Sequence, residues 1–171
     1  MVHVLETGLE FISMENPNGK PAVRGYNIIN GQLTSASDGA TFTSTNPALL
    51  ADCLGEFPLS TREDVRDALH AARAAFPAWA ATPAPTRGQI IGNMGRLLME
   101  HKEALVALET REIGKTLKES GGEIQEAIDT CLFFQSEGRR LYGQTVNSEL
   151  PDKELFTYRR PLGVCLSLIH I

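Results

Sequence analysis

One helix that must stop at Gly114 and a second that must begin directly behind it constrain this chain more than any other feature. The stretch Ala107-Leu-Glu-Thr-Arg-Glu-Ile-Gly-Lys-Thr-Leu-Lys-Glu-Ser is followed, at helical spacing, by Glu126-Ala-Ile-Asp-Thr-Cys-Leu-Phe-Phe. Gly114 can take the left-handed conformation that closes a helix, and Lys115 lies near the last carbonyls of the helix dipole. The letters Gly114-Lys115-Thr116 also suit a phosphate-binding loop, but that motif needs a glycine at the position of Glu109. It also needs a preceding strand, whereas residues 96–112 read as helix. The glycine is a cap.

Three helices are predicted. Ser60 with Glu63 makes a capping box, after which Val65, Ala68, Leu69, Ala72 and Phe76 recur on one face. Pro83 and Pro85 separate this helix from a second, which spans about residues 87–113 and carries Ile90, Ile91, Met94, Leu97, Leu98, Leu105 and Leu108 as its buried stripe. The third starts near Thr116 and uses Leu117, Ile124, Ile128, Cys131 and Leu132, with Tyr142 as a further candidate. Its acids Glu119, Glu123 and Glu126 lie in the first half, and Arg139-Arg140 in the last turn, a polarity that suits the dipole and reads as a solvated face. Gly88, Gly92 and Gly95 have the spacing G-x-x-x-G-x-x-G with no strand in front, so close packing is expected there rather than a nucleotide loop. Gly121-Gly122 should mark a bend or a tight contact.

Short strands flank the helices. Residues 1–24 form a weakly patterned leader with a turn at Asn16-Pro17-Asn18-Gly19, and Met14 is an alternative start. Tyr26-Asn-Ile-Ile-Asn-Gly-Gln-Leu-Thr is a hairpin signal centred on Asn30-Gly31. Asp38-Gly39 is a second turn, Thr41-Phe-Thr-Ser-Thr leads into Asn46-Pro47, and residues 49–57 supply a short edge strand. After Gly143 the pattern returns to strand: Thr145-Val146, a turn at Pro151-Asp152, then alternation through residues 154–160. An alternating strand without an obvious partner is an edge that another subunit can pair. Pro161-Leu-Gly-Val-Cys starts an apolar run typical of a buried parallel strand.

Composition excludes several classes. Net charge is −5 over 171 residues and no Lys/Arg run stands out, so nucleic acid is a poor partner. No apolar run approaches the ~20 residues of a membrane helix. The acidic N-terminus is unlike a secretory signal, which points to the cytoplasm. Cys53, Cys131 and Cys165 form no C-x-x-C pair, and His3, His70, His101 and His170 show no metal-ligand spacing. Cys131 and Cys165 are expected as small buried hydrophobes. No catalytic, cofactor-binding or metal residue is therefore assigned.

A set of short motifs remains. Ile29-Asn30-Gly31, Asp38-Gly39-Ala40-Thr41-Phe42 and Asn46-Pro47-Ala48 come first. Glu63-Asp64-Val65, Ala71-Ala72, Ala75-Phe76, Trp79 and Arg87 follow, then Leu108-Glu109, Glu112, Gly114-Lys115, Glu119 and Glu123. Tyr142-Gly143, Arg160-Pro161 and Leu162-Gly163-Val164 complete the order. Together, over roughly residues 26–165, they resemble the N-terminal region of the aldehyde dehydrogenase superfamily.

That resemblance implies an α/β fold: short β-hairpins, three long helices and the start of a doubly wound nucleotide-binding sheet. It implies residues 25–143 as the N-terminal part of an NAD(P)-binding domain, 144–160 as an oligomerisation arm, and 161–165 as the first strand of the nucleotide-binding sheet. The parent enzyme would use NAD or NADP to oxidise an aldehyde to a carboxylate. A cysteine thiolate attacks the carbonyl, hydride leaves to the nicotinamide, and a glutamate-activated water hydrolyses the thioester. The family's residues for these steps lie beyond Cys165, so the fragment is expected to be inactive and to bind NAD(P) poorly. The intact parent is expected to be a homodimer or homotetramer. Glu112-Ile-Gly-Lys-Thr-Leu and Glu137-Gly-Arg-Arg-Leu-Tyr-Gly look most similar to the semialdehyde-oxidising branches. Alternatives are an acylating, CoA-dependent member and a non-catalytic helical interaction module. Residues 166–171, Leu-Ser-Leu-Ile-His-Ile, are one reading frame of CTGTCTCTTATACACATC, which resembles a transposon-library adapter. They are expected to be adapter read-through, the alternative being a genuine strand that diverges.

Overall fold

Asn30 and Gly31 both take positive φ, 52° and 75°, so the chain reverses in the two-residue turn that this dipeptide favours. Strand β3 (Asn27–Ile29) thereby pairs with β4 (Gln32–Thr34), with Ile28 opposite Leu33. The computed structural model describes residues 10–12 and 22–168. Its contacts divide into two compact units, one of residues 1–74 with 101–124 and one of residues 75–100 with 125–171.

In the first unit a four-stranded sheet has the order β1-β2-β6-β5, from β1 (Glu10–Ile12), β2 (Ala22–Arg24), β5 (Thr41–Thr45) and β6 (Cys53–Pro58). Strand β6 was expected at an edge, as part of residues 49–57, but it is an inner strand, parallel to β2 and antiparallel to β5. Gly55 permits this, because a Cβ there would come within 2.0 Å of the Val23 carbonyl oxygen. The segment 1–24, read as a leader, supplies β1 and β2; three-residue strands are too short to display an alternation, and Ala22 is fully buried. The turn expected at Asn16–Gly19, and Met14, lie outside the described residues.

Helix α1 (Arg62–Ala81) is capped one residue later than expected. Thr61 Oγ1 accepts from the backbone N–H of Glu63 (3.1 Å) and of Asp64 (3.4 Å), while Asp64 Oδ2 accepts from the Thr61 N–H at 2.7 Å. The box is Thr61/Asp64, not Ser60/Glu63, because the Ser60 hydroxyl is drawn off to Asn27 Oδ1 and Asp64 also receives the Ser37 N–H. The Thr61 N–H donor, opposed by burial, leads in holding the Asp64 carboxyl below the usual carboxylate range.

The expected second helix is two. Helix α2 (Ala84–Glu100) and α3 (Lys102–Ile113) part at His101, whose φ of −102° and ψ of 13° leave the helical region, and they belong to different units. Residues 99–104, Met-Glu-His-Lys-Glu-Ala, interrupt the apolar stripe, so no continuous face holds one long rod. Helix α4 (Leu117–Glu137) opens with a full capping box. Glu119 Oε2 accepts from the N–H and hydroxyl of Thr116, and Thr116 Oγ1 accepts from the Glu119 N–H. Gly121 and Gly122 make neither bend nor tight contact: α4 runs through both, and a Cβ at either would meet nothing within 4 Å.

The second unit is built on a glycine seam, as the spacing of Gly88, Gly92 and Gly95 implies. A Cβ would lie 2.5 Å from the Gln135 carbonyl oxygen at Gly88, 2.1 Å from Gln135 Oε1 at Gly92, and 2.8 Å from Cys131 Cβ at Gly95. Backbone cannot step aside, but a glutamine side chain can. Gly88→Ala should therefore lower stability by about 2 kcal/mol and Gly92→Ala by much less. Gly122→Ala should raise it by up to ~1 kcal/mol. Urea-unfolding midpoints of the three variants check the order, and equal effects at Gly88 and Gly92 would count against backbone contact.

Beyond α4, β7 (Thr145–Val146) pairs with β8 (Leu155–Phe156) as an exposed hairpin that turns at Asp152, φ 58°. Residues 161–165, expected to start a parallel strand, form no strand, and neither do residues 166–168. Leu162 is 96% exposed, and Cys165 is exposed rather than buried. A parallel strand forms only against neighbours, and no strand among the described residues pairs with this run. The helices also leave apolar side chains uncovered, Val65, Leu117 and Phe133 among them.

Candidate functional site

The densest polar constellation surrounds the turn between α3 and α4, in the first unit. Gly114 caps α3 in the left-handed conformation (φ 78°) and donates its N–H to the Thr110 carbonyl at 3.0 Å. A Cβ at Gly114 would come within 2.9 Å of Pro47, so this position needs glycine for space as well as for conformation. Lys115, expected near the carbonyls that end α3, pairs with the Glu123 carboxylate on α4. Thr116 caps α4. Gly114-Lys115-Thr116 thus spans two helix ends, with its amide and its ammonium already engaged, and makes no phosphate cradle.

One turn back on α3, Arg111 grips Asp52 with two bonds, Nε to Oδ2 at 3.1 Å and Nη2 to Oδ1 at 2.8 Å. Asp52 is 1% exposed and also accepts from Asn46 Nδ2, while its carbonyl receives the Asn46 N–H. The hydrogen bond to Asp52 raises the Arg111 pKa further, against the pull of burial. This clamp ties α3 to the loop that feeds β6. Sequence reading missed it, because a lone arginine on a charged helix and an aspartate 59 residues away carry no joint signal. Glu119 and Glu123, read as a solvated face, are likewise engaged in the cap and the ion pair.

Glu109 completes the cluster. The influence of the Glu123 carboxyl, reinforced by burial, raises the Glu109 pKa. Lys115 foremost, then Glu109, lowers that of Glu123, and the Glu123 pairing raises that of Lys115.

The cysteines are dispersed. Cys53 is half-buried in β6, Cys131 is buried in α4 at the glycine seam, and Cys165 is exposed. Among the described residues no group of three or more His, Cys, Asp or Glu is placed to hold a metal ion. In the second unit a groove lined by Trp79, Met94, Phe133, Phe134 and Leu141 is apolar. Its two charged neighbours are occupied elsewhere: Arg87 donates to the Thr82 carbonyl at the end of α1, and Glu137 pairs with Arg140. The arrangement holds helices and turns, and among the described residues it brings no nucleophile to a base.

Residues 33–169 match the model of the aldehyde dehydrogenase family. The chain belongs to the aldehyde dehydrogenase family. It is 38% identical over 151 residues to succinate-semialdehyde dehydrogenase [NADP(+)] of Escherichia coli (strain K12), covering 88% of this chain and 31% of that protein. It is 36% identical over 138 residues to the alpha-ketoglutarate semialdehyde dehydrogenase of Haloferax volcanii, covering 81% and 29%. Among solved structures, an E. coli NADP-dependent enzyme superposes with a TM-score of 0.73 at 40% identity, over 78% of this chain and 27% of that one. An NAD-dependent aldehyde dehydrogenase from Sinorhizobium meliloti gives 0.75 at 28% identity, over 81% and 28%. The chain therefore spans less than a third of the length of these proteins, with the mixed α/β architecture of the N-terminal region of aldehyde dehydrogenases.

Proposed function

We propose that the chain is the N-terminal part of an NAD(P)-dependent aldehyde dehydrogenase whose complete form oxidises a semialdehyde to a dicarboxylate. The observation that carries this reading is the 38% identity, over 88% of the chain, to a succinate-semialdehyde dehydrogenase. Relatives named for glutarate and malonate semialdehydes support the same branch. Membership of this family speaks against a free-standing helical module.

The described residues do not themselves fit a dinucleotide. Such a site forms at the carboxyl ends of several parallel strands, and here the single parallel pairing among them is β2 with β6, three and six residues long. No step of the reaction is assigned to this chain. Its part is structural: the cap-to-cap turn at Gly114–Thr116 and the glycine seam hold rigid helices. In the complete enzyme, residues 161–165 would join the nucleotide-binding sheet, and the β7–β8 hairpin would pair with another subunit.

No helix among the described residues is long and apolar enough to cross a membrane. A cytoplasmic homodimer or homotetramer is the proposed state of the parent.

The test is the complete gene product, assayed with succinic, 2-oxoglutaric, malonic and neutral aldehydes, with NAD or NADP, and with or without CoA. Expected is CoA-independent turnover of a semialdehyde by a dimer or tetramer in light scattering. Activity on none of the aldehydes would overturn the assignment, and strict CoA dependence would move it to the acylating branch. The codons of residues 166–171 in the same gene distinguish adapter sequence from protein.

A further inference from the structure

The dipeptide that makes the β3–β4 turn is also one whose backbone is well placed to attack its own side chain. A side-chain amide followed by glycine meets a main-chain nitrogen with no Cβ beside it to block approach. Asn30 and Gly31 are both exposed, and a Cβ at Gly31 would meet nothing within 4 Å, so a five-membered ring has room to close. Among the described residues no acceptor engages the Gly31 N–H and no partner engages the Asn30 side chain. The Asp38–Gly39 turn is similar in sequence and opposite in state. Gly39 also takes a φ of 75°, but its N–H donates to the Ala36 carbonyl at 2.9 Å, and Asp38 Oδ1 accepts from the Ala40 N–H at 2.9 Å. Nucleophile and electrophile are free in the first turn and tied in the second. Of the other described asparagines, Asn46 precedes Pro47, which has no N–H, and Asn27, Asn93 and Asn147 precede residues that carry a Cβ.

We propose that Asn30 is a site of spontaneous deamidation, where the chain converts its own β3–β4 turn to an isoaspartyl linkage and so opens the hairpin. The Gly31 nitrogen, on losing its proton to solvent base, attacks Asn30 Cγ. The new C–N bond closes a succinimide, the Cγ–Nδ2 bond breaks, and ammonia leaves with a proton from solvent. Water then opens the ring. Cleavage between the nitrogen and Cγ gives aspartate, whereas cleavage between the nitrogen and the Asn30 carbonyl carbon gives isoaspartate, whose main chain runs through Cβ and Cγ. The conversion consumes one water and releases one ammonia, with no oxidant or reductant.

The effect on the fold follows from the size of the hairpin. Two residues make the turn, and the register of Asn27 with Thr34, Ile28 with Leu33 and Ile29 with Gln32 depends on it. Isoaspartate inserts one carbon atom into that loop. No third strand among the described residues holds the pair, and a two-stranded hairpin is only marginally stable. Asn27 Oδ1 accepts the Ser60 hydroxyl at 3.0 Å, so loss of the hairpin also releases Ser60 just before α1.

The test ages the full chain for days in mildly alkaline buffer and maps it by mass spectrometry of tryptic peptides, with unfolded peptides of the two turns aged alongside. Asn18–Gly19, outside the described residues, falls on a separate tryptic peptide because Arg24 lies between. Asn30 should gain the mass of a hydroxyl replacing an amino group and become a substrate of an isoaspartyl methyltransferase. With each rate divided by that of its own peptide, Asp38 isomerisation should be about tenfold slower than Asn30 conversion, the scale of the hydrogen bonds that must first break. Amide exchange of residues 27–34 should lose protection in the isoaspartyl chain. Asn30→Gly, which keeps a favourable Gly-Gly turn and has no amide to lose, should age unchanged, and Asn30→Asp, which adds the charge without the extra carbon, should keep its protection. An Asn30 that stays intact while its peptide converts overturns the proposal, as does equal slowing at the two turns. Full protection of residues 27–34 in the isoaspartyl chain, or the same loss in Asn30→Asp, overturns the opening of the hairpin by the inserted carbon.

Discussion

The 171-residue chain is expected to form no NADH from any aldehyde and to show no micromolar affinity for NAD in a calorimetric titration. Catalysis in this family needs a nucleophile, an oxyanion donor and a base converging on one reacting atom. Among the described residues Cys53, Cys131 and Cys165 are dispersed over β6, α4 and the exposed run after Arg160. Cys165 itself sits in a segment with no strand partner and an almost fully exposed Leu162. Nothing among the described residues holds that thiol against a substrate. Cofactor affinity should be absent because parallel pairing among the described residues is confined to β2 with β6, whereas a dinucleotide is gripped at strand ends and helix N-termini of a doubly wound sheet. The uncovered apolar faces, with Leu117, Phe133 and Leu162 exposed, should also make the chain self-associate. Turnover above buffer, or NAD binding at micromolar concentration, would show that a working domain lies within these residues.

The largest stability effect is expected at the clamp between Asp52 and Arg111. Removing the arginine leaves a carboxylate that is 1% exposed without its bidentate partner. Breaking a buried pair in this way typically costs about 3 kcal/mol or more, because the remaining charge stays desolvated and has lost the guanidinium that grips both its oxygens. Arg111→Met should therefore shift the urea midpoint of the first unit strongly downward. The double variant Asp52→Leu/Arg111→Met should recover most of the loss, since an apolar pair of similar volume carries no desolvation penalty. If the single variant moves the midpoint little, Asp52 keeps enough solvent or other partners to stand alone. Equal losses in single and double variants would instead assign the effect to packing of the long side chains.

What could be read without coordinates was whatever a few neighbouring residues decide among themselves. Asn30-Gly31 makes its turn because both positions tolerate positive φ, and Gly114 ends α3 for the same reason. The glycine spacing in α2 announced a close approach, because a repeat of missing side chains on one face has little other use. Even the family was legible, since many short local motifs in fixed order identify a fold without any knowledge of contacts.

Tertiary structure decided everything that depends on a competing partner. Ser60 and Thr61 are equally good caps on paper; Asn27 takes the Ser60 hydroxyl, and Asp64 then completes the box with Thr61. Residues 87–113 read as one helix in spite of the gap in the apolar stripe at 99–104, and the chain breaks in that gap at His101, where α2 passes to one unit and α3 to the other. Strand β6 is inner because residues of the apparent leader return to pair with it. Glu119 and Glu123 of α4 looked like a solvated face until Thr116 and Lys115 were brought against them. The apolar run at residues 161–165 has strand propensity but no strand, because a ladder of hydrogen bonds needs a second chain segment and propensity alone supplies no acceptor.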